Sequence, residues 1–187
     1  MKLLTAIFSF AFSVSLFAAD CSVDTKSIDV SWKAFKTPIK AGVGGSFKGL
    51  TYTGKKSATS MDDIIKSAAM TIETGSDSVH TKDKSRDGKI AKFFFSTMSG
   101  GTQIKAQVKS YTKKALTLSV TMNGKTVDVP MSYKVEGKNL SAQGVIDVFD
   151  FGMTKQLEGI NKACKALHEG KTWNDVEISL KASFKGC

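Results

Sequence analysis

A run of four amphipathic segments between Gln103 and Phe149 constrains the fold of this chain more than any other feature of its sequence. Each segment is apolar at every second residue, and a short polar turn separates it from the next. Strict alternation of this kind is typical of antiparallel strands with one buried face. The dipeptide Asn123-Gly124 between the second and third segments is a strong hairpin signal, because both residues tolerate positive φ. The sequence therefore predicts a four-stranded meander in the middle of the chain.

Four further alternating segments flank the meander, and they bring the predicted strand count to eight. They cover residues 28–34, 41–53, 68–72 and 176–184. The second of them is rich in glycine, which is typical of a strand that bends or coils sharply. A dinucleotide-binding loop is the alternative interpretation of these glycines, but the third glycine of that pattern would fall at Phe47.

Three short helices are predicted between the strands. Ser60 and Asp63 form a capping pattern before the third strand, and Ser85 begins a short helix that ends near Phe94. A longer helix from about Thr154 to His168 precedes the eighth strand, and it has one apolar face formed by Leu157, Ile160, Cys164 and Leu167. The polar stretch 75–85 is predicted to be an exposed loop.

Eight antiparallel strands with one apolar face each can form a flat sheet, a sandwich or a closed barrel. A closed barrel leaves no unpaired edge, and with eight strands its interior can be filled by side chains or hold one small ligand. The predicted fold is therefore mainly β, an eight-stranded antiparallel barrel with short helices inserted between strands.

The first 19 residues have the pattern of a secretory signal peptide. Met1-Lys2 gives a positive start, Leu3 to Phe17 is apolar, and Ala18-Ala19 is suited to a signal peptidase. A transmembrane anchor is the alternative, but the apolar stretch is shorter than the roughly 20 residues that span a bilayer. We expect residues 1–19 to be the signal peptide and residues 20–187 to form one domain.

The formal net charge of +10 comes almost entirely from lysines spread along the chain. Two interpretations remain open: a solvated basic exterior, or attraction to an anionic membrane surface or lipid headgroup. Nucleic acid is not an expected partner, because the sequence contains no basic helix and no basic-aromatic platform.

Three cysteines follow the predicted signal peptide, so an oxidising compartment would leave one thiol outside any internal bridge. Antiparallel pairing of the first and last strands would bring Cys21 near Cys187. A bridge from Cys164 to either of them is the alternative. The cysteine spacings do not suit zinc, and the chain has two histidines, so no metal site is expected.

Several short motifs, in order along the chain, resemble those of a known family. They are Val43-Gly44-Gly45-Ser46-Phe47, Ser78-Val79-His80-Thr81, Arg86-Asp87-Gly88-Lys89-Ile90, Phe93-Phe94 and Gly144-Val145-Ile146-Asp147. On these residues the chain resembles the YceI-like family of bacterial periplasmic proteins. The ending from Cys164 through Trp173 to Cys187 is similar to a subgroup rather than to the commonest form of the family.

The resemblance implies an exported, lipocalin-like barrel with a long apolar cavity. Such a cavity would hold a polyisoprenoid or another lipid-like amphiphile without acting on it chemically, and no other cofactor is implied. Some members of the family form dimers, so a homodimer is also implied. Carried onto this chain by strand parity, the ligand-binding residues would be Trp32, Phe47, Met70, Ile72, Phe93, Phe94, Ile104, Val108, Leu118, Val120, Met131, Tyr133, Ile146 and Ile178.

Arg86 is the candidate contact for a ligand headgroup. Its alternative role is an ion pair with Asp87 or a contact at the end of its helix.

An enzyme is not expected, and no catalytic residue is assigned. The chain has no Gly-x-Ser-x-Gly elbow, and surface or capping roles account for His80 and His168. Asp147 and Asp150 fit a turn with helix-entry capping. A filled barrel that binds a partner protein is the further alternative, because inward apolar residues suit a filled interior as well as a hollow one.

Overall fold

The protein, seen here as a computed structural model, is described over residues 21–187, and the predicted signal peptide at 1–19 lies outside that range. Four helices are present in the described range: α1 (Met61–Lys66), α2 (Lys84–Phe93), α3 (Thr154–Ala163) and α4 (Lys165–His168), with a 3-10 turn at Phe95–Thr97. The strands of this range are β1 (Cys21–Lys36), β2 (Ala41–Phe47), β3 (Leu50–Tyr52), β4 (Ser57–Ala58), β5 (Ala69–Glu73), β6 (Val79–His80), β7 (Gln103–Tyr111), β8 (Leu116–Met122), β9 (Lys125–Glu136), β10 (Asn139–Asp147) and β11 (Thr172–Lys185).

All the strand pairs are antiparallel, and they form one curled sheet. The order is β3-β5-β7-β8-β9-β10-β11-β1-β2-β6, and β4 adds to the start of β1. The predicted meander is the central part of this order, β7-β8-β9-β10. The prediction of a mainly β, antiparallel, barrel-like fold with short helices between strands is confirmed.

The predicted count of eight strands is wrong, because the second predicted strand changes partners halfway along. β2 pairs with β1 at one end of the sheet, and β3 pairs with β5 at the other end. Between them, the N–H of Lys48 donates to Ser78 O at 2.8 Å, and Gly49 O accepts from the N–H of Glu73 at 2.8 Å. This broken strand joins the two ends of the curled sheet. β4 and β6, of two residues each, account for the other additional strands.

Local capping determines where α1 and α2 begin. At α1, as predicted, Ser60 Oγ accepts from the N–H of Asp63 at 3.2 Å. α2 begins one residue earlier than predicted because Asp83, rather than a serine, is its N-cap. The Asp83 carboxylate accepts from the N–H of Arg86 at 3.1 Å.

The predicted helix 154–168 is two helices. The chain leaves helical geometry at Cys164, which has φ −112° and ψ 10°, and α4 then adds a single turn. Glu169 and Gly170 both have positive φ after it, which ends the helical segment.

The stretch 75–85 is only partly the exposed loop that its polarity predicted: residues 75–77 and 82–85 are exposed, but the middle of the stretch is not. Val79 and Thr81 are buried, and β6 pairs with the end of β2. Thr81 can be buried because the Asp87 carboxylate accepts both its N–H at 2.7 Å and its Oγ1–H at 2.6 Å. A two-residue strand is too short for alternation to reveal it in the sequence.

The first and last strands of the chain pair with each other inside the sheet. β1 and β11 pair from Ser22 opposite Lys185 to Lys36 opposite Thr172. Cys21 and Cys187 lie just beyond one end of this ladder and form a disulfide with a Cα–Cα distance of 4.5 Å. Cys164 is a buried free thiol.

Candidate functional site

A cavity of about 420 Å³ lies inside the curled sheet, and α2 and α3 contribute to its wall. Strands from both halves of the strand order, including β1, β2, β7, β10 and β11, supply apolar side chains to it. Charged and polar groups reach its wall at two places, the first turn of α2 and the junction between β1 and β11. The cavity is therefore an apolar chamber with a polar, mainly basic mouth.

Eight of the fourteen sequence-predicted ligand-binding residues are not in the wall of this chamber, and the structure divides the whole set into three groups. The first group lines the 420 Å³ cavity: Trp32, Phe47, Phe94, Ile104, Ile146 and Ile178, together with the headgroup candidate Arg86. The second group, Met70, Val108 and Leu118, lines a separate cavity of about 40 Å³.

The third group packs in the interior without lining either cavity in the described part of the chain. Ile72, Val120 and Met131 are buried core residues. Tyr133 is half-buried, and its ring packs on Tyr111 with the centroids 5.1 Å apart. Phe93 is half-buried at the end of α2, and Lys92 Nζ lies 5.3 Å from its ring centroid. Strand parity identified the inner face, but it did not identify which part of the interior is hollow.

The structure adds cavity residues that sequence reasoning left out of the binding set. The apolar face of α3 and the α3–α4 junction line the chamber through Leu157, Ile160 and Cys164. Their three- and four-residue spacing was visible in the sequence. However, the spacing shows only that this face is covered, and not what it covers. Ala34, Val43 and Val176 are further wall residues that the parity of β1, β2 and β11 could have identified.

A row of aromatic rings forms one side of the chamber. The centroids of Trp32 and Phe47 are 6.4 Å apart, those of Phe47 and Phe95 are 5.9 Å apart, and those of Phe95 and Phe94 are 5.1 Å apart. The last two pairs are edge-to-face, which is a favourable arrangement for aromatic rings. These ring contacts make one side of the chamber a continuous aromatic wall.

The Trp32 ring lies where it does because Gly45 has no side chain. The two residues are directly opposite in the β1–β2 register. A Cβ atom built on Gly45 would overlap the Trp32 ring. The glycine-rich β2 strand therefore supplies a place for a large ring in the wall.

Arg86 makes a contact at the end of its own helix. Its guanidinium lies 3.4 Å from Asp83 Oδ2, and its side chain is 38% exposed. The pKa of Asp83 is lowered mainly because its carboxylate accepts the backbone N–H of Arg86, with the nearby guanidinium charge contributing. Asp87 is instead turned to Thr81. Because a guanidinium has five N–H donors, this one contact leaves donors of Arg86 available at the mouth.

Two of the side chains considered for catalysis have defined places in the described part of the chain. Asp147 accepts from the N–H of Phe149 at 2.8 Å and from Asn174 Nδ2 at 2.7 Å, as expected for a turn. The expected helix-entry capping by Asp147 and Asp150 is wrong, because the N-cap of α3 is Met153 and no side chain caps this helix. His80 lies in the short β6 strand. Within residues 21–187, no three His, Cys, Asp or Glu side chains come together as a metal site. No helix in the same range has the length and apolarity needed to cross a bilayer.

Comparison with known proteins identifies a family and a fold. A family model described as a YceI-like domain matches residues 21–184. A polyisoprenoid binding domain from Saccharophagus degradans, implicated in plant cell wall breakdown, is similar in structure with a TM-score of 0.57 and 12% identity. The alignment covers 88% of this chain and 97% of that domain.

A second solved structure has the same level of similarity. The BcnA protein of Burkholderia cenocepacia aligns with a TM-score of 0.57 and 20% identity, over 86% of this chain and 98% of BcnA. No match was found among curated proteins. At these identities the two solved structures support the fold of the chain.

Proposed function

The chain belongs to the YceI-like family, and from that premise we propose that it is a periplasmic carrier that holds an isoprenoid or fatty amphiphile in its 420 Å³ cavity. The ligand's apolar tail would lie in the chamber, and its polar head would lie at the mouth near Arg86. The protein binds the ligand without changing it chemically.

The apolar cavity is the observation that supports this proposal most directly. Burying one methylene group contributes about 0.8 kcal/mol, so about ten buried carbons would contribute roughly 8 kcal/mol before ordering costs. An interior already hollow avoids the cost of opening a core. The Saccharophagus domain, which has this fold and by its name binds polyisoprenoid, supports the choice of an isoprenoid.

The cavity also argues against the alternative of a filled barrel that acts only as a partner protein. A filled interior would leave voids of the size found near Met70 and Leu118, about 40 Å³, rather than one ten times larger. Export to the periplasm and assembly as a homodimer stay predictions.

Mass spectrometry of the bound material tests the proposal. The full chain is expressed, and the protein is purified without detergent and extracted with organic solvent. We expect about one prenyl or fatty amphiphile per protein. An extract that is empty, and that stays empty after incubation of the protein with envelope lipids, would contradict the carrier proposal.

A cavity-filling variant localises the ligand. Ala34 lies in the cavity wall and pairs with Val43 and Val176 on the neighbouring strands. Ala34→Trp should place an indole ring in the chamber and lower the amount of bound amphiphile about tenfold or more, since the same volume cannot be occupied twice.

Gln143→Trp is the matched control, because Gln143 is an exposed residue of β10 and the added ring would lie outside. We expect it to retain the wild-type ligand content. Equal ligand content in the two variants would place the ligand elsewhere. Circular dichroism should verify that both variants are folded.

A further inference from the structure

Two segments meet at the mouth of the cavity, and we call residues 36–40 and 165–173 together the mouth rim. The first is the turn between β1 and β2, and the second contains α4 and the start of β11. The N–H of Thr37 donates to Lys171 O at 3.0 Å, and Trp173 Nε1–H donates to Thr37 O at 2.8 Å. These bonds make the mouth rim one continuous surface.

The mouth rim presents apolar side chains to solvent. Ile39 is 87% exposed and Leu167 is 66% exposed, which are the highest values among the large apolar residues in the described range. Leu167 and Trp173 also line the cavity. Exposed apolar groups are therefore continuous with the apolar chamber through its opening.

The same surface is basic. Four lysines, Lys36, Lys40, Lys165 and Lys171, share it with one carboxylate, that of Glu169. Lys40 Nζ and Lys171 Nζ lie 4.6 and 4.4 Å from the Trp173 ring.

The lysine charge is only partly neutralised by neighbouring carboxylates. Lys40 alone of the four has an ion pair within 21–187, with Asp175 at 2.9 Å, and that pair is solvent-exposed. Phe149 is also exposed, but Asp147 and Asp150 flank it, so we do not include it in this surface.

We propose that the mouth rim docks on the surface of an anionic phospholipid bilayer, with Ile39 and Leu167 entering the headgroup region. Lysines around exposed apolar groups suit this partner, because anionic headgroups attract the ammonium groups while apolar side chains enter the interface. A tryptophan edged by lysines is suited to the same region. The inference rests on the proposed carrier function, because docking would bring the cavity opening against the source of a water-insoluble ligand.

Vesicle flotation tests this surface. Protein purified from expression of the full chain is mixed with phosphatidylcholine vesicles with or without about one-third phosphatidylglycerol. We expect the wild type to float with the anionic vesicles and to remain largely unbound with neutral ones. The double variant Ile39→Glu with Lys171→Glu should bind anionic vesicles at least about tenfold more weakly, because it removes an apolar anchor and reverses one charge.

The control makes the same chemical change at the opposite end of the sheet. Val135 and Lys138 are exposed near the turn between β9 and β10, so Val135→Glu with Lys138→Glu alters the net charge by the same amount. This control should bind anionic vesicles within about twofold of the wild type. An equal loss in both double variants, or no preference of the wild type for anionic vesicles, would overturn the proposal.

A separate measurement distinguishes failure of docking from failure of the carrier function. Binding of a short, water-soluble prenyl alcohol is followed by tryptophan fluorescence without vesicles. We expect the same affinity in the wild type and in both double variants, because neither Ile39 nor Lys171 lines the cavity in the described range. Loss of prenyl binding by the wild type would overturn the carrier function. If the wild type binds the prenyl alcohol but binds anionic and neutral vesicles equally, only the docking proposal would be overturned.

Discussion

Gly45 shows how one missing side chain arranges a wall of the cavity. Trp32 faces it across the β1–β2 ladder, and the ring occupies the space that a Cβ would need. The neighbouring Gly44 is different, since the nearest atom to a Cβ there would be Trp32 O at 3.7 Å, an ordinary contact. The two glycines thus have different steric environments although they are adjacent in β2.

Replacing each glycine by alanine tests this difference. Gly45→Ala should displace the Trp32 ring toward the cavity and lower the free energy of unfolding by about 1–2 kcal/mol through overpacking. Urea denaturation gives the stability, and near-ultraviolet circular dichroism reports the ring. Gly44→Ala should change both quantities little. The steric explanation would be wrong if the two variants behaved alike.

At this scale the sequence predicts which side chains point inward and leaves open where the interior is hollow. Alternation places both Trp32 and Met131 on the inward face of their strands. However, Trp32 lines the large cavity and Met131 is a packed core residue. The difference depends on which elements lie opposite each residue. Gly144 shows this, because a Cβ there would overlap Met131 Sδ. Such contacts between strands depend on register and curvature, which alternation does not specify.

Helix caps explain why the short helices begin where they do. The carboxylate of Asp63 accepts the hydroxyl of Ser60 at 2.7 Å, and that bond is the main cause of its lowered pKa. At α2, Asp83 has a lowered pKa chiefly because of its bond from the N–H of Arg86. Both carboxylates favour the folded state when they are ionised.

The pH dependence of these caps follows from the sign of the shift. A carboxyl whose folded pKa lies below its usual value of 3.8 stabilises the protein fully above that value. Its contribution is lost as the pH falls through the lower, folded pKa. In a nuclear magnetic resonance titration, the Asp83 carboxyl should have a midpoint below 3.8. In the same titration, the chemical shift of the Arg86 backbone amide should follow the protonation of Asp83. The Asp83→Asn variant keeps a capping side chain but should lose this acid-dependent change in chemical shift. A midpoint at or above 3.8 would show that the cap bond does not stabilise the carboxylate.

The elements that the sequence missed are those whose formation depends on distant partners. The meander and α1 follow from local alternation and capping. By contrast, β6 forms because Val79 and His80 meet the end of β2 from more than 30 positions away. The break at Cys164 likewise interrupts a helical period that is regular in the sequence. Long-range pairing accounts for β6, whereas the local sequence pattern gives no sign of the break at Cys164.

The described part of the chain is tied by a covalent bond between residues 21 and 187. The Cys21–Cys187 disulfide spans 166 positions and lies beside a second, smaller core cluster that contains Val23, Ile64 and Phe184. A bridge over so long a loop restricts the unfolded chain strongly. The sequence predicted that antiparallel pairing of the first and last strands would bring these two cysteines together. It left Cys164 open as an alternative partner.

Removing the disulfide should destabilise the folded protein substantially. For the double variant Cys21→Ala with Cys187→Ala, the chain-entropy relation predicts a loss of about 5 kcal/mol in the free energy of unfolding. Urea denaturation measures the loss. Adding a reductant should lower the stability of the wild type and leave the double variant unchanged, which separates the bridge from general effects of the reductant. A loss below about 1 kcal/mol would mean that the bridge hardly restricts the unfolded chain.

The position of this bridge determines how the molecule would respond to mechanical tension. Because Cys21 and Cys187 are adjacent through one covalent bond, a stretching force applied at the two ends of the described chain runs through their sulfur atoms. The oxidised fold would then extend by almost nothing under a pulling experiment at these ends. After reduction, the same force would act on the β1–β11 ladder and separate its hydrogen bonds one after another from Ser22 and Lys185 inward.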